Sequence, residues 1–359
     1  MSTFIQLHLL TSYPPSNLNR DDLGRPKTAI MGGKTRLRVS SQSLKRAWRT
    51  SDLFESAMSG HIGTRTKQLG LDLYQRMIKE AIKPKDAKEW AKTVAGTFGK
   101  LKGEDKKNPE KLVDLEIEQL AHVSPEEREA VDALAGKLIF EKRAPKPDEL
   151  TFLRQPETAV DIALFGRMLT KNSREESIVR FGQEAACQVA HAITVHDVAV
   201  EDDYFTAVDD LNSGEEDLGA AHIGETEFAA GLFYLYLCIN RDLLIENLGG
   251  DRELANKALA SLVEAAAKVA PNGKQNSFAS RARTSYMLAE KGSDQPRSLS
   301  VAFLKPVRGE DVLALAVKEL EKRRENFDKV YGACADSFKT MNAEIGEGSL
   351  NDIISFVKE

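Results

Sequence analysis

Nine of the 50 lysine and arginine residues of this chain lie in the 30-residue window from Arg20 to Arg49. Asp21 and Asp22 are the only acidic residues in that window, which therefore carries a net charge of +7 in a chain of net charge −5. Positive charge concentrated in this way on an otherwise acidic protein is expected of a groove that binds phosphate groups, and a solvated basic loop is the alternative.

The order of residues inside the window favours a phosphate site. Residues 36–39 (Arg-Leu-Arg-Val) alternate basic and apolar side chains, which predicts a strand with Arg36 and Arg38 on one face. The serines of residues 40–43 are N-cap candidates for a helix that starts near Gln42. Its buried stripe is predicted from the spacing of Leu44, Ala47 and Trp48.

The basic side chains of this predicted helix lie near its N-terminal end. Lys45 and Arg49 are four residues apart and share one face, with Arg46 beside them. The first turn adds free backbone N–H groups and the positive end of the helix dipole. These features together predict a binding site for the phosphate backbone of a nucleic acid.

Residues 32–35 (Gly-Gly-Lys-Thr) resemble a P-loop only superficially. The Walker pattern requires a glycine five residues before Gly33, where this chain has Thr28. The glycines are expected to allow a sharp turn or the close approach of a ligand, with Lys34 as a point charge for phosphate.

The composition predicts a folded, soluble and cytoplasmic protein that does not bind membranes. The chain has 359 residues, 42% of them hydrophobic, and no apolar run near the roughly 20 residues of a membrane span. Its N-terminus lacks the pattern of a signal peptide. Cys187, Cys238 and Cys334 are widely spaced, so neither a disulfide framework nor a zinc site is expected.

The hydrophobic patterns predict an α+β fold. A first strand over residues 4–10 precedes a polar loop over 11–35, and a helical insertion occupies 56–155. Within it, residues 124–127 (Ser-Pro-Glu-Glu) form a capping box. Strands are predicted at 189–200, 232–239 and 284–288, with helices from 240 to 250 and from 251 to 270. This order matches the ferredoxin-like, or RRM-like, split βαβ arrangement.

No catalytic constellation stands out. His191 and His196 would point to opposite faces of a strand, so they do not predict a metal site. Asp21 and Asp22 are a carboxylate pair inside the basic window and leave metal-assisted RNA cleavage as an alternative. Such acids more often pair with neighbouring arginines and hold the loop. No cofactor and no resident metal are expected.

Seven segments form a recognisable series. They are residues 19–22 (Asn-Arg-Asp-Asp), 29–34 (Ala-Ile-Met-Gly-Gly-Lys), 38–47 (Arg-Val-Ser-Ser-Gln-Ser-Leu-Lys-Arg-Ala), 160–168, 191–194, 205–211 and 246–250. In this order they resemble the Cascade backbone subunits (CasC) of type I-E CRISPR systems, within the RAMP superfamily. The resemblance covers the chain up to Gly250 and is weak in the helical insertion and after Pro271.

The resemblance implies a protein similar to a right hand. An RRM-like palm would comprise residues 1–55, 156–195 and 226–359. The helical fingers would comprise 56–155, and a β-hairpin thumb 196–225.

The resemblance also implies the RNA-binding residues. The palm groove would hold the RNA backbone through Asn19, Arg20, Lys27, Lys34, Ser40, Gln42, Lys45, Arg46, Arg49 and Arg167. Met168 would contact bases, although a lone methionine is more often a core residue. Tyr204, Phe205 and Thr206 of the thumb would push between nucleotides and flip a base out; a small core beneath the hairpin is the alternative for the two rings.

The implied function is structural and not enzymatic. Several copies would stack head to tail along one CRISPR RNA and hold it, independently of its sequence, for pairing with target DNA in antiviral defence. The partners would be the guide RNA, target DNA, other copies of the chain and the small, large, guide-capping and guide-processing Cascade subunits. The stretch from Asp197 to Asn240, which has eleven carboxylates and no lysine or arginine, could contact the basic surface of the next copy.

Two enzymatic alternatives stay open at this point. A metal-dependent target-RNA ribonuclease, as in the type III backbone branch, would use Asp21 and Asp22. A guide-processing endoribonuclease would need a histidine in the groove, and His8 is the only histidine near it in the sequence.

Overall fold

The computed structural model describes residues 2–152, 158–168, 181–207 and 222–359, which belong to two compact units. The sheet unit comprises Met1–Ala57, Gln188–Arg241 and Leu259–Glu359, and the helical unit comprises Met58–Cys187 and Asp242–Ala258. Helices α7 (Arg241–Asn247) and α8 (Arg252–Lys268) contain the points where the chain passes from one unit to the other.

The sheet unit contains an antiparallel sheet formed by β1 (Phe4–Ser16), β2 (Thr28–Met31), β3 (Lys34–Val39), β7 (Ala192–Thr194), β9 (His222–Asn240), β10 (Thr284–Gly292) and β11 (Ser337–Asn342). The order of these strands in the sheet is β11-β10-β1-β9-β7-β3-β2. Strand β8 (Glu201–Ala207) pairs with the first part of β9. The second part of β9 pairs with β1, so one 19-residue strand belongs both to the sheet and to a hairpin arm.

Both faces of the central strand β1 are buried. Ile5, Leu7 and Leu9 on one face and Gln6 and His8 on the other are all buried. The helices of this unit, besides parts of α7 and α8, are α1 (Ser41–Arg49), α2 (Asp52–Ala57), α9 (Gln275–Phe278), α10 (Val312–Tyr331) and α11 (Leu350–Lys358).

Helix α10 closes one hydrophobic core of the sheet unit. Its buried residues Ala316 and Leu320 belong to a cluster that includes Tyr286 and Leu288 of β10. Each fully buried side chain of leucine size contributes about 1.5–3 kcal/mol relative to an exposed one. This packing holds α10 against β10.

A buried polar network crosses β1, β9 and β10. His8 Nδ1 lies 2.8 Å from Tyr234 Oη and His8 Nε2 lies 3.1 Å from a carboxylate oxygen of Glu290, while Arg297 donates two hydrogen bonds to Glu290 at 2.5 and 2.9 Å. Burial opposes ionisation of Glu290, but the hydrogen bonds from His8 and Arg297 prevail and lower its pKa to about 2. Burial lowers the pKa of His8, which is therefore a neutral donor to Glu290.

The helical unit has its own core. Its elements are α3 (Leu69–Lys79), α4 (Pro84–Ala95), α5 (Pro125–Glu141), α6 (Val160–Phe165) and the short strands β4 (Thr64–Thr66) and β5 (Ala121–Val123), which pair with each other. Strand β6 (Cys187–Val189) lies where the chain returns to the sheet unit. Leu73, Trp90 and Leu138 are among the residues buried between the helices. The predicted capping box is confirmed, because Ser124 Oγ accepts from Glu127 N–H while the Glu127 carboxylate accepts from Ser124 N–H.

Three predictions about elements were wrong or incomplete. Residues 11–35 are not one loop, since β1 continues to Ser16 and β2 forms a hairpin with β3. The strand predicted over 189–200 is limited to β6 and β7 and is otherwise irregular. The strand that starts at Thr284 is not the last element of the fold, because α10, β11 and α11 follow it. No helix in the described parts of the chain is both long and apolar enough to cross a membrane.

Candidate nucleic-acid interface

Helix α1 begins where the sequence predicts. Ser40 Oγ accepts a hydrogen bond from Ser43 N–H at 3.3 Å, which is an N-cap, and the predicted stripe is buried: Leu44, Ala47 and Trp48. Gln42 and Arg46 are exposed, and Lys45 and Arg49 are partly buried. Because the apolar stripe fixes the rotation of the helix, this basic side faces away from the core.

The loop before β2 is attached to the start of α1. Asn19 Oδ1 accepts a hydrogen bond from Ser40 N–H at 2.9 Å, and the backbone C=O of Asn19 accepts one from Lys27 N–H at 2.8 Å. The first of these bonds joins the first and third segments of the recognised series through residues that are 21 positions apart. The N-cap serine and the loop with Arg20 are therefore held in a fixed arrangement.

A cleft of about 500 Å³, called cleft 1 here, lies at this junction. Its walls are formed by Leu18, Asn19, Arg20, Asp21, Asp22, Gly24, Ser43, Arg46, Ala47, Asn272 and Gly273. The cleft brings together three of the predicted site residues, Asn19, Arg20 and Arg46, and Ser40 is bonded to its wall. Asn272 and Gly273 were not predicted as site residues, because the Pro-Asn-Gly segment in which they lie indicates only a turn.

Asp21 is engaged within its own loop. Its carboxylate accepts hydrogen bonds from the N–H groups of Leu23 and Arg25, both at 2.9 Å, and pairs with the Arg25 guanidinium at 3.4 Å. The backbone hydrogen bond from Arg25 is the main reason that the pKa of Asp21 is lowered. Within the described parts of the chain, no three His, Cys, Asp or Glu residues are grouped so that they could hold a metal ion.

The two glycines before Lys34 form the turn of the β2–β3 hairpin. Met31 pairs with Lys34, and Gly32 and Gly33 between them have φ of 59° and 72°, which is the pattern of a type I′ turn. A Cβ on Gly32 would lie 1.8 Å from the carbonyl oxygen of Leu304. The predicted sharp turn is therefore confirmed, and the backbone of Leu304 approaches Gly32 closely.

The two arginines of β3 differ in a way that their alternation does not predict. Arg36 is fully buried and donates to the carbonyl oxygens of Thr194 at 2.9 Å and Phe303 at 3.0 Å. It therefore bonds the sheet to the segment before α10 and is unavailable to a ligand. Arg38 lies 2.9 Å from His191 Nδ1, and partial burial together with the charges of Arg38 and Lys27 lowers the pKa of His191.

The hairpin arm formed by β8 and the first part of β9 carries the predicted aromatic pair. Tyr204 is 64% exposed and Phe205 is 43% exposed, so neither ring lies in a core beneath the hairpin. The two residues are adjacent in a strand and therefore point to opposite faces of the arm. Phe205 pairs with Gly224 and its ring lies against that glycine, where a Cβ would be 2.3 Å away. Residues 208–221, part of the predicted thumb, lie outside the described residues.

The base of this arm is bonded to the loops around cleft 1. Asn17 Nδ2 donates to the carbonyl oxygens of Gly24 at 2.9 Å and Glu227 at 3.0 Å. Lys274 donates to the hydroxyl of Thr226. A Cβ on Gly273 would lie 2.2 Å from the carbonyl oxygen of Leu18, so glycine is needed for these loops to meet. The arm and cleft 1 are thus parts of one hydrogen-bonded assembly within the sheet unit.

The two remaining predicted site residues lie in the helical unit and differ in exposure. Arg167 is 4% exposed; its guanidinium donates to the Glu127 carboxylate at 2.7 Å and to the carbonyl oxygen of Phe181. Its interactions are those of a structural residue. Met168 is 86% exposed, which contradicts the alternative that it fills a core.

The histidine considered for a ribonuclease does not lie in the groove. His8 is fully buried in the network with Tyr234 and Glu290 described above. It has no exposed ring atom with which to reach a phosphodiester. The interpretation of His8 as an acid or base for RNA cleavage is therefore wrong.

Comparisons with known proteins give one family and two similar solved chains. A family model described as CT1975-like protein matches residues 5–352. Two solved chains are similar over 99% of their own length and 99% of this chain. One, from a "CRISPR RNA-guided surveillance complex, pre-nicking", has 31% identity and a TM-score of 0.80. The other, from a "CRISPR RNA-guided surveillance complex", has 27% identity and a TM-score of 0.58. The curated proteins include no match to the sequence.

Proposed function

The chain belongs to the CT1975-like protein family, and on this premise we propose that it is an RNA-binding backbone subunit of a Cascade-type CRISPR surveillance complex. The observation that carries the proposal is cleft 1, where Arg20 and Arg46 line the walls beside the capped N-terminus of α1. Cationic side chains and free helix N–H groups bind phosphate without regard to base identity. A guide RNA whose sequence is read by pairing needs such a holder.

The strand order supports an RRM-like palm as part of this proposal. Strands β10, β1, β9 and β7 are neighbours in that order. Along the chain, α1 lies between β1 and β7, and α8 lies between β9 and β10. This is the order of a βαββαβ unit. The palm would present α1, Lys27 and Lys34 to the RNA, and the helical unit would supply the fingers.

The hairpin arm is the proposed thumb. With Tyr204 and Phe205 on opposite faces, one ring can stack on a base while the other contacts the base or protein on the other side. Thr206 lies on the same face as Tyr204. The acidic residues Asp202 and Asp203 repel phosphate, so the arm would pass between nucleotides and not along the backbone.

Stacking of copies along the guide follows from the same proposal. Repeated head-to-tail contacts generate an open filament, and an RNA of greater length should hold more copies. Native mass spectrometry on RNAs of three lengths is expected to give complexes whose copy number rises in proportion to length. A single copy on every RNA would reject the backbone role.

The acidic arm is proposed to contact the basic surface of the next copy. Replacing Asp202 and Asp203 by lysine should weaken RNA-dependent assembly at low salt, where charge attraction between copies is least screened. Binding of one copy to a short RNA serves as the control. Unchanged assembly would show that the arm does not act through its charge.

A further inference from the structure

A second cleft, called cleft 2 here, adjoins cleft 1 in the sheet unit. It has a volume of about 580 Å³ and shares Ala47 and Asn272 with cleft 1. Its other walls are Thr50, Ser51, Asp52, Leu53, Lys268, Val269, Ala270, Gln275, Arg281, Ala282 and Arg283. Together the two clefts extend from the loop containing Arg20, past the C-terminal half of α1, to the start of β10.

Cleft 2 has an excess of positive charge. Arg281 and Arg283 are exposed in its wall, and neither makes an ion pair within the described parts of the chain. Lys268 pairs with Glu264 at 2.5 Å, which compensates its charge. Asp52 is the only acidic residue of the wall. The two arginines therefore give the cleft a net attraction for an anion.

The floor of cleft 2 also contains an unsatisfied acceptor. Gln275 Nε2 donates to the carbonyl oxygen of Pro271 at 2.7 Å, but Gln275 Oε1 is buried and accepts no hydrogen bond in the described structure. A buried acceptor without a donor is unfavourable, because it has lost its hydrogen bonds to water without replacing them. If the Gln275 amide turned toward the cleft, its Oε1 could accept a hydrogen bond from a hydroxyl group of a ligand. RNA carries such a donor, the ribose 2′-hydroxyl, next to each phosphate.

We propose that cleft 2 is a second backbone subsite, in which Arg281 and Arg283 bind a phosphate of the same RNA strand that passes through cleft 1. This inference rests on the proposed function and extends it to a part of the chain where the family resemblance is weak. RNA is favoured over an acidic protein segment because the two clefts share Ala47 and Asn272, so one strand could pass from one cleft to the other. The bidentate geometry of arginine suits a phosphate oxygen pair.

The test compares the salt dependence of RNA affinity between the wild type and the double variant Arg281→Ala/Arg283→Ala. Each phosphate neutralised on single-stranded RNA contributes about 0.7 to the slope of log affinity against log salt. The variant loses the contact to one phosphate, so its slope is expected to fall by about 0.7 and its affinity to be weaker. The charge-preserving variant Arg281→Lys/Arg283→Lys should retain most of the slope. Lys318→Ala/Lys322→Ala on α10, where both lysines are exposed, is the matched control.

Two results would overturn the inference. One is a slope and affinity in the Arg281→Ala/Arg283→Ala variant equal to those of the α10 control. The other is a variant that binds a short, single-copy RNA with normal affinity but no longer associates with further copies. That result would assign cleft 2 to a protein partner. Failure of the proposed function is distinguishable, because the wild type itself would then show no salt-dependent RNA binding.

Discussion

The side-chain oxygen of Asn19 lies 2.9 Å from the backbone nitrogen of Ser40 and accepts its hydrogen bond. This bond connects the loop that contributes Arg20 to the residue that caps α1. Cleft 1 is formed where these two segments meet. The proposed RNA site therefore depends on a contact that has no charge of its own.

Replacing Asn19 by alanine should weaken both folding and RNA binding. The lost hydrogen bond is expected to lower the free energy of unfolding by about 1 kcal/mol. Asn19→Asp keeps an acceptor for Ser40 N–H but adds a negative charge beside Arg20 and Arg46. Denaturant unfolding and RNA titration should show near-normal stability and reduced affinity for Asn19→Asp. Normal RNA affinity in both variants would mean that this junction is not part of the binding site.

Gly273→Ala should disturb cleft 1 from a position that carries no charge. The new Cβ would lie 2.2 Å from the carbonyl oxygen of Leu18, so the two loops must separate. RNA affinity is expected to fall severalfold. Gly103→Ala, where a Cβ meets nothing within 4 Å, is the control. Equal affinity in the two variants would contradict the close meeting of these loops.

Arg167 should act on stability and not on RNA affinity. Arg167→Ala leaves the buried Glu127 carboxylate without its cation, which is expected to cost about 3–5 kcal/mol. The double variant Arg167→Met/Glu127→Gln removes both charges, keeps a side-chain oxygen that can accept from Ser124 N–H, and should recover much of the loss. Thermal unfolding measures this recovery. A drop in RNA affinity without loss of stability would restore Arg167 to the RNA-binding residues.

The buried network around His8 should make the fold sensitive to acid. The pKa of His8 in the folded protein is below the ordinary value of 6.5. Below about pH 6.5 the unfolded chain therefore binds a proton at His8 that the folded chain does not bind, and the free energy of unfolding falls. Glu290, with a pKa near 2 against an ordinary 4.5, adds a further loss as pH falls from about 4.5 to 2. Unfolding temperatures at pH 7.5 and 5 should drop less in His8→Gln than in the wild type. An equal drop in both would exclude His8 as a cause.

Local signals in the sequence predicted much of the site, and long-range packing determined the rest. The cap at Ser40, the stripe through Trp48 and the capping box at Ser124 depend on neighbours within four residues, and all three are confirmed. The burial of Arg36 depends on Phe303, 267 residues away, and no local pattern distinguishes it from Arg38. Cleft 2 was not predicted for the same reason. Arg281 and Arg283 line a cleft with Ala47 and Thr50 only in the folded chain, and no local pattern indicates this contact.

The measurement that tests the central claim most directly is the binding of fluorescent RNAs of unrelated sequence to the purified protein across a salt series. A portion incubated with magnesium is then analysed on a denaturing gel. We expect similar affinities for all sequences, a steep weakening with salt, a shallower slope for Arg20→Ala/Arg46→Ala than for Lys318→Ala/Lys322→Ala, and intact RNA. Sequence-selective binding without salt dependence would contradict the account. RNA cut at regular intervals, with cutting lost in Asp21→Ala or Asp22→Ala, would instead identify a ribonuclease.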